Sequence, residues 1–456
     1  MSEYLPEEII VQILLRLPVK PLIQFTSVCR SWNSIIKHTS FINAHLNLTQ
    51  NKTSNNTPSI LLRHCPKDPT VERYSLHLDN DSFLEHSKPQ LPVQSLIECF
   101  RIVGSCNGLL LLSDDYHAET NTLILWNPSI RKFVSLPKPH EPTSPYYSVY
   151  GFGFDSKKND YKVVRLVYLR QDDQGQACPE VSLYSLNSGS WKTISATAPN
   201  YVIAQTFWSQ VFIEGAVHWI ASHRKENGLR NVILSFDVSG ETFKEIQLPE
   251  DLPRQFYNIS AAGKSIAVKH YEENTHSIWI MREYGVVDSW TKKFSIDRNV
   301  TPNFLVIQIM GCRKNGEFLL EMYDHGGKTG KLVSHDPKNN RNEFLGIHTD
   351  PGYSCIEYYT ESLVLLDRAN GVVDSWTKKF SIDRNVTPNF LVIQIMGCRK
   401  NGEFLLEMYD HGGKTGKLVS HDPKNNRNEF LGIHTDPGYS CIEYYTESLV
   451  LLDRAS

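Results

Sequence analysis

Several short strings in this chain have the residue types and spacing of reactive sites, and each can be judged by the element that would have to hold it. Gly104-Ser105-Cys106-Asn107-Gly108 has the G-x-C-x-G pattern of a nucleophile elbow, whose thiol is displayed on a turn between a strand and a helix. Here strand-like apolar runs lie on both sides, and Asn-Gly is a hairpin signal, so a tight turn is expected. Gly326-Gly327-Lys328-Thr329-Gly330 resembles the end of a phosphate-binding loop, but position 322, where the first glycine of that motif belongs, is Met. Gly151-Phe152-Gly153-Phe154 lacks the third glycine of a dinucleotide site. The 17 histidines are dispersed and show no metal-ligand spacing. His218, beside Trp219 in a strand-like run, is expected to be a packed histidine, and Asp114-Asp115 and Asp172-Asp173 are expected in solvated turns. No catalytic residue, metal site or cofactor is expected.

The elements behind these strings begin with a helical unit in the first 40 residues. Glu8, Gln12 and Arg16 recur every four residues and form a narrow polar strip, while the rest of the helix is almost entirely Ile, Val and Leu. Pro6 suits a first helical turn, Glu7 and Glu8 oppose the positive end of the helix dipole, and Pro18 ends the helix. Leu22, Phe25, Val28, Cys29, Trp32, Ile35 and Ile36 then continue at spacings of three and four, which predicts two further short helices. A unit this small cannot cover a helix that is apolar around most of its circumference, so a partner protein is implied.

Composition narrows the function classes. With 40% hydrophobic and 21% charged residues the chain is an ordinary globular protein. A net charge of -3 offers no surplus of cations for counterion release, which argues against a nucleic-acid partner. The nine cysteines include no CxxC pair, and no apolar run approaches the ~20 residues of a membrane span. No membrane association and a reducing compartment, cytoplasmic or nuclear, are expected.

Residues 41 to 58, Asn-rich toward the end, are expected to be a linker. Beyond it the texture is all-β. Hairpins are predicted from Phe100–Val103 into Leu109–Leu112, Leu123–Trp126 into Phe133–Leu136, Val181–Leu186 into Trp191–Ile194 and Ile233–Val238 into Phe243–Ile246. An aromatic opens the return strand in each repeat, at Phe133, Trp191, Phe243, Trp290 and Phe344, 47 to 58 residues apart. A period near ~50 is that of kelch-type propeller blades, and residues 59 to 369 would make roughly six. A β-sandwich with irregular hairpins is the competing fold.

Two groups of residues also carry a family resemblance. Leu5-Pro6, the Ile9 to Leu17 helix, Leu17-Pro18 and the run Val28-Cys29-Arg30-Ser31-Trp32 ending in Ile35-Ile36 closely resemble an F-box. The runs LWNPSIRKFVSLP at 125 to 137, GFGFDSKKNDYKVVRL at 151 to 166, GAVHWIA at 215 to 221 and ILSFDVSGETFKEIQLP at 233 to 249 are similar to the F-box-associated, kelch-like domain of plant F-box proteins. The resemblance implies a three-helix F-box over residues 1 to 40, followed by a β-propeller-like substrate-recognition domain over 59 to 369. It further implies that the F-box docks on a Skp-type adaptor, and through it on a cullin, in an SCF ubiquitin ligase. By that resemblance Leu5, Pro6, Ile9, Leu14, Leu17, Pro18, Leu22, Val28, Cys29 and Trp32 would face the adaptor or pack the unit, and sequence does not separate the two roles. The chain itself would be a non-catalytic adaptor for an unknown protein substrate. Longer loops at Pro137–Pro145, Gln171–Pro179 and Ser222–Arg230 are where such a target would be read. The residues do not place the chain in the pollen S-locus branch of the family. The alternative is a propeller that binds or acts on a small molecule or sugar, independent of ubiquitin, behind an unrelated helical segment.

One feature departs from any family pattern: Gly285 to Ala369 recur, residue for residue, as Gly371 to Ala455. The offset is not a whole number of ~50-residue blades, so the second copy arrives out of phase. Both Cys355–Leu366 and Cys441–Leu452 could supply a ring-closing strand. The first copy is expected to close the ring, leaving 371 to 455 redundant.

Overall fold

A computed structural model describes residues 6–52, 59–64, 72–91, 100–114, 122–140, 146–169, 179–194, 201–203, 210–225, 228–249, 252, 257–299, 304–324, 330–349, 354–366, 390–398, 404–410, 416–422, 425 and 427–435. The chain divides into two compact units, Met1–Asp374 and Ser375–Ser456.

The apolar amino-terminal stretch folds into short helices: α1 (Glu7–Leu14), α2 (Val19–Phe25) and α3 (Arg30–Lys37). Pro6 stands just before the first turn of α1, and its carbonyl accepts from Ile9 and Ile10 at 3.0 and 3.2 Å. Cys29, in an extended conformation, caps α3 by accepting from the Trp32 amide at 3.5 Å. The stretch from 41 to 58, expected to be a linker, instead starts inside a fourth helix, α4 (Thr39–Lys52). Phe41, Ile42, His45 and Leu46 are its buried side chains, at the one, three and four-residue steps of a helix face. Asn43 between them, and Asn47, Thr49 and Asn51 after them, gave the stretch its loop-like composition.

Six four-stranded antiparallel sheets follow as the blades of a propeller. The second blade shows the common plan: Arg101–Cys106 innermost, then Leu109–Asp114, Thr122–Asn127 and Lys132–Ser135 outermost. The remaining blades start at Tyr146, Val211, Tyr257 and Phe304, so innermost strands recur irregularly, 45 to 65 residues apart. The repeat aromatics Phe133, Trp191, Phe243, Trp290 and Phe344 all fall in the outermost strands of their blades. At Asn107-Gly108 both residues have positive φ, 52° and 77°, so the G-x-C-x-G string is a two-residue hairpin turn with Cys106 buried in a strand.

The first blade closes the ring. Its innermost strand, Cys355–Tyr359, comes from the far end of the domain and pairs with Ser59–Arg63, with Leu61 opposite Glu357. Of the two candidate closing strands, the first copy therefore occupies this position. A tail runs on from it: Asn127 Nδ2 donates to the carbonyls of Ser362 and Val364, both at 3.0 Å, and Leu363, Val364 and Leu366 are buried. In the second unit, Phe390–Cys398, Phe404–Asp410, Gly416–Asp422 and Arg427–Thr435 form one four-stranded sheet with the same pairings as the sixth blade.

Apolar clusters fill the spaces between blades. Lys162 is a charged exception, almost fully buried between the third and fourth blades. Its Nζ lies 2.8 Å from Asp155 and 3.3 Å from Glu241 and donates to the Val238 carbonyl at 3.1 Å.

Candidate functional site

The helical unit has a sealed side and an open side. Leu14, Val19, Leu22, Ile36, Phe41 and Ile42 belong to one buried cluster with Leu109 and Leu125 of the second blade, Phe152 of the third and Leu363 and Leu366 of the tail. Polar contacts fix the same seam. The Val19 amide donates to Glu361 at 3.3 Å, Asn43 Nδ2 to Asn159 Oδ1 at 3.2 Å and Gln50 Nε2 to Asn107 Oδ1 at 3.0 Å, while His45 Nε2 ties α4 to the Leu17 carbonyl within the helical unit at 2.9 Å.

The open side carries the apolar groups that the propeller leaves uncovered. Ile9 is 46% exposed, Ile13 50% and Val28 60%. Ile9 and Ile13 are one turn apart and share a face of α1. Ile13 was absent from the sequence-derived set, although its i+4 relation to Ile9 is legible.

The other candidates divide by burial. Leu5 lies outside the described residues. Pro6 and Pro18 are exposed at helix starts, and Leu17 is half-buried. Trp32, also half-buried, packs at 5.4 Å on Phe25, and Cys29 serves as the α3 cap. Leu14 and Leu22 are buried in the cluster that the helical unit shares with the propeller and its tail, so they are packing residues unavailable to a second protein. Sequence could not foresee this, because the propeller and tail residues of that cluster, from Leu109 onward, lie 87 or more positions away.

The topology also defines two faces of the propeller. Asn107 and Asn159, the residues touched by α4, sit in the first tight turns of the second and third blades, so the helical unit covers that face. Loops between the second and third strands, and links between blades, leave from the opposite ends of the strands. Pro137 to His140 stand there: the Pro137 carbonyl accepts from Trp191 Nε1 at 2.7 Å, and the His140 carbonyl from Arg165 at 2.7 Å. Residues 141–145 and 171–178 of the expected loops lie outside the described residues. The third expected loop, Ser222–Arg230, is instead largely the end of a long hairpin, with Ser222 paired to Asn231, His223 to Arg230 and Lys225 to Gly228.

Other expected sites resolve as structure. His218 is fully buried; its Nδ1 donates to the Val211 carbonyl at 3.2 Å, and Nε2 accepts from the Tyr284 hydroxyl at 2.8 Å. Burial depresses its pKa to about 4. Asp114, expected in a solvated turn, is buried at a strand end. Among the described residues no group of three or more His, Cys, Asp or Glu could hold a metal, and no helix is long and apolar enough to cross a membrane. An axial cavity of about 690 Å³ is lined by inner strands of several blades.

The F-box domain family matches residues 3–43, and the family described as F-box associated beta propeller domain matches 65–362. Among curated relatives, an F-box protein of Arabidopsis thaliana is 30% identical over 390 residues, covering 77% of this chain and 89% of its own length. The F-box protein CPR1 of the same plant is 29% identical over 79% of this chain and 89% of its own length. Solved structures resemble the chain only distantly. Hydrazine synthase of Kuenenia stuttgartiensis (TM-score 0.41, 6% identity, 68% of this chain and 48% of its own) and a periplasmic gluconolactonase of Pseudomonas aeruginosa (0.30, 8%, 83% and 96%) are examples.

Proposed function

Because the chain belongs to the F-box proteins that carry an F-box-associated β-propeller, we propose that it is the substrate-recognition subunit of an SCF ubiquitin ligase. The observation that carries this is the division of the helical unit. One side is sealed by the propeller and its tail, while Ile9 and Ile13 on one face of α1, and Val28 in the turn before α3, remain exposed as apolar surface that a docked partner would cover. A Skp-type adaptor, and through it a cullin, would cover them. Each fully buried Ile or Val is worth about 1.5–3 kcal/mol, so two or three such anchors suffice for a specific contact.

The chemistry contributed by this chain is positional. A target held at the face away from the helical unit is kept near the ubiquitin carrier, which raises the effective concentration of its lysines. Bond making would take place on other subunits. The rigid seam matters here, because it fixes the direction in which the target is presented.

Proximity labelling in plant cells under proteasome inhibition tests the proposal. Adaptor and cullin peptides are expected around the wild-type chain and lost around an Ile9→Asp/Ile13→Asp variant, while the labelled target persists in both. Labelling of neither adaptor nor cullin by the wild type would contradict it.

A further inference from the structure

The duplicated segment is a complete replacement part for the ring. Residues 285–369 start in the turn between the third and outermost strands of the fifth blade, Thr275–Met281 and Trp290–Asp297. From there they supply that outermost strand, all four strands of the sixth blade, the closing strand and the tail. Residues 371–455 hold the same sequence in the same order, and their four described strands pair in the register of the sixth blade.

The contacts that seat the first copy reach residues that precede both copies. Phe318 and Leu320 of the sixth blade are buried with Ala267 and Ile278 of the fifth, and on the other side Leu319 and Leu332 are buried with Ile60 and Leu62 of the first. Arg313 Nε donates to Asp79 at 3.1 Å, the Ser105 hydroxyl to Glu357 at 2.8 Å, and the Val19 amide to Glu361 at 3.3 Å. These partners occur once in the chain. The first-copy residues recur 86 positions later, Leu320 as Leu406, Arg313 as Arg399, Glu357 as Glu443 and Glu361 as Glu447.

Either copy makes the same contacts in that place, so the two arrangements differ only in how the spare copy is tethered. With the first copy seated, the second follows the tail. With the second seated, residues 285–370 leave through the turn of the fifth blade and lengthen it from 8 residues, 282 to 289, to about 94. That turn is open: residues 282 to 288 are exposed, and nothing lies within 4 Å of a Cβ placed on Gly285. Loop-closure entropy grows only logarithmically with length, so the longer connection is disfavoured by roughly fortyfold.

We propose that the two copies exchange in one ring, between a major form closed by Cys355–Tyr359 and a minor form, on the order of 2% of molecules, closed by residues 441–445. Exchange requires the tail to leave the helices, and it moves the attachment of the spare sheet from the tail to the fifth blade. It is independent of the ligase reading, since it involves none of Ile9, Ile13 and Val28.

Leu320 is fully buried, so Leu320→Asp in a chain ending at Asn370 should abolish cooperative unfolding. In the full chain the same substitution should leave a monomer that melts cooperatively within a few degrees of wild type, because Leu406 replaces Leu320. Leu406→Asp alone should leave the ring's transition unchanged, and the double variant should fail. A full-length Leu320→Asp chain as damaged as the truncated one, or rescued only as a dimer, would overturn the proposal. Ser59→Cys with Tyr445→Cys reads the minor form directly, since Ser59 pairs with Tyr359, the counterpart of Tyr445. In oxidised glutathione this disulfide, mapped by peptide mass, should accumulate over hours, and Leu406→Asp should prevent it. No disulfide after a day, or one indifferent to Leu406→Asp, would overturn exchange even where the full chain rescues Leu320→Asp.

Discussion

Lys162 shows how a single residue couples neighbouring blades. Its ammonium joins Asp155 and Glu241, and with hydrogen bonds from Ser239 and the Lys158 amide it holds the Asp155 carboxyl down at about 2 despite burial. Lys162→Met would remove the buried countercharge of Asp155, leaving only its hydrogen bonds from Ser239 and the Lys157 and Lys158 amides, so a loss of about 3 kcal/mol is expected in denaturant unfolding. A shift below ~1 kcal/mol would mean that the pair is not buried in solution. Histidines set the acid response. Burial lowers the pKa of His77, His218, His270 and His276, that of His218 to about 4. The folded state keeps them neutral, while the unfolded chain protonates them near the ordinary 6.5. Their stabilisation is therefore complete above about pH 6.5 and is lost as pH falls toward 4. The melting temperature should drop steadily between pH 7 and pH 5, and a flat profile would contradict these burials. Such partners are invisible in sequence. His218 reads as a packed histidine from its strand-like surroundings, but nothing near it announces Tyr284.

Among elements, α1 combines two roles that its sequence does not distinguish. Its apolar residues wrap nearly the whole circumference because one side packs on the propeller and the other is open. Leu14→Ala should cost about 2–5 kcal/mol of stability. Ile9→Asp with Ile13→Asp should leave the melting temperature within a few degrees, because exposed substitutions cost little. Equal damage from both would mean that the open side is also packed. Sequence gave the strands well, since Asn-Gly at 107 and the outer-strand aromatics are local signals. It missed α4, where polar Asn and Thr outnumber the four residues of the buried stripe.

On the scale of the molecule, ring closure was the ambiguity that sequence alone could not lift, because two identical segments had the same claim to it. The fold selects Cys355–Tyr359, which follows the sixth blade through a link of only five residues, 350 to 354, and so closes at small entropic cost. A chain ending at Asn370 retains the closing strand and the tail that seats the helices. It should melt within a few degrees of the full chain, whereas one ending at Ser354 should lose cooperative unfolding. The family was legible because the amino-terminal motif and the blade runs are contiguous in sequence. The target was not, because the face that would read it is assembled from separate blades.

The open apolar side of the helical unit is the surface that we propose a second protein covers. The affinity of the full chain for a purified Skp-type adaptor, measured for wild type, Ile9→Asp/Ile13→Asp and Val28→Asp, tests this directly. Binding of the wild type, with a loss of about a hundredfold or more in the double variant and a clear loss at Val28, is the predicted result. Undiminished binding by both folded variants, or none by the wild type, would contradict it.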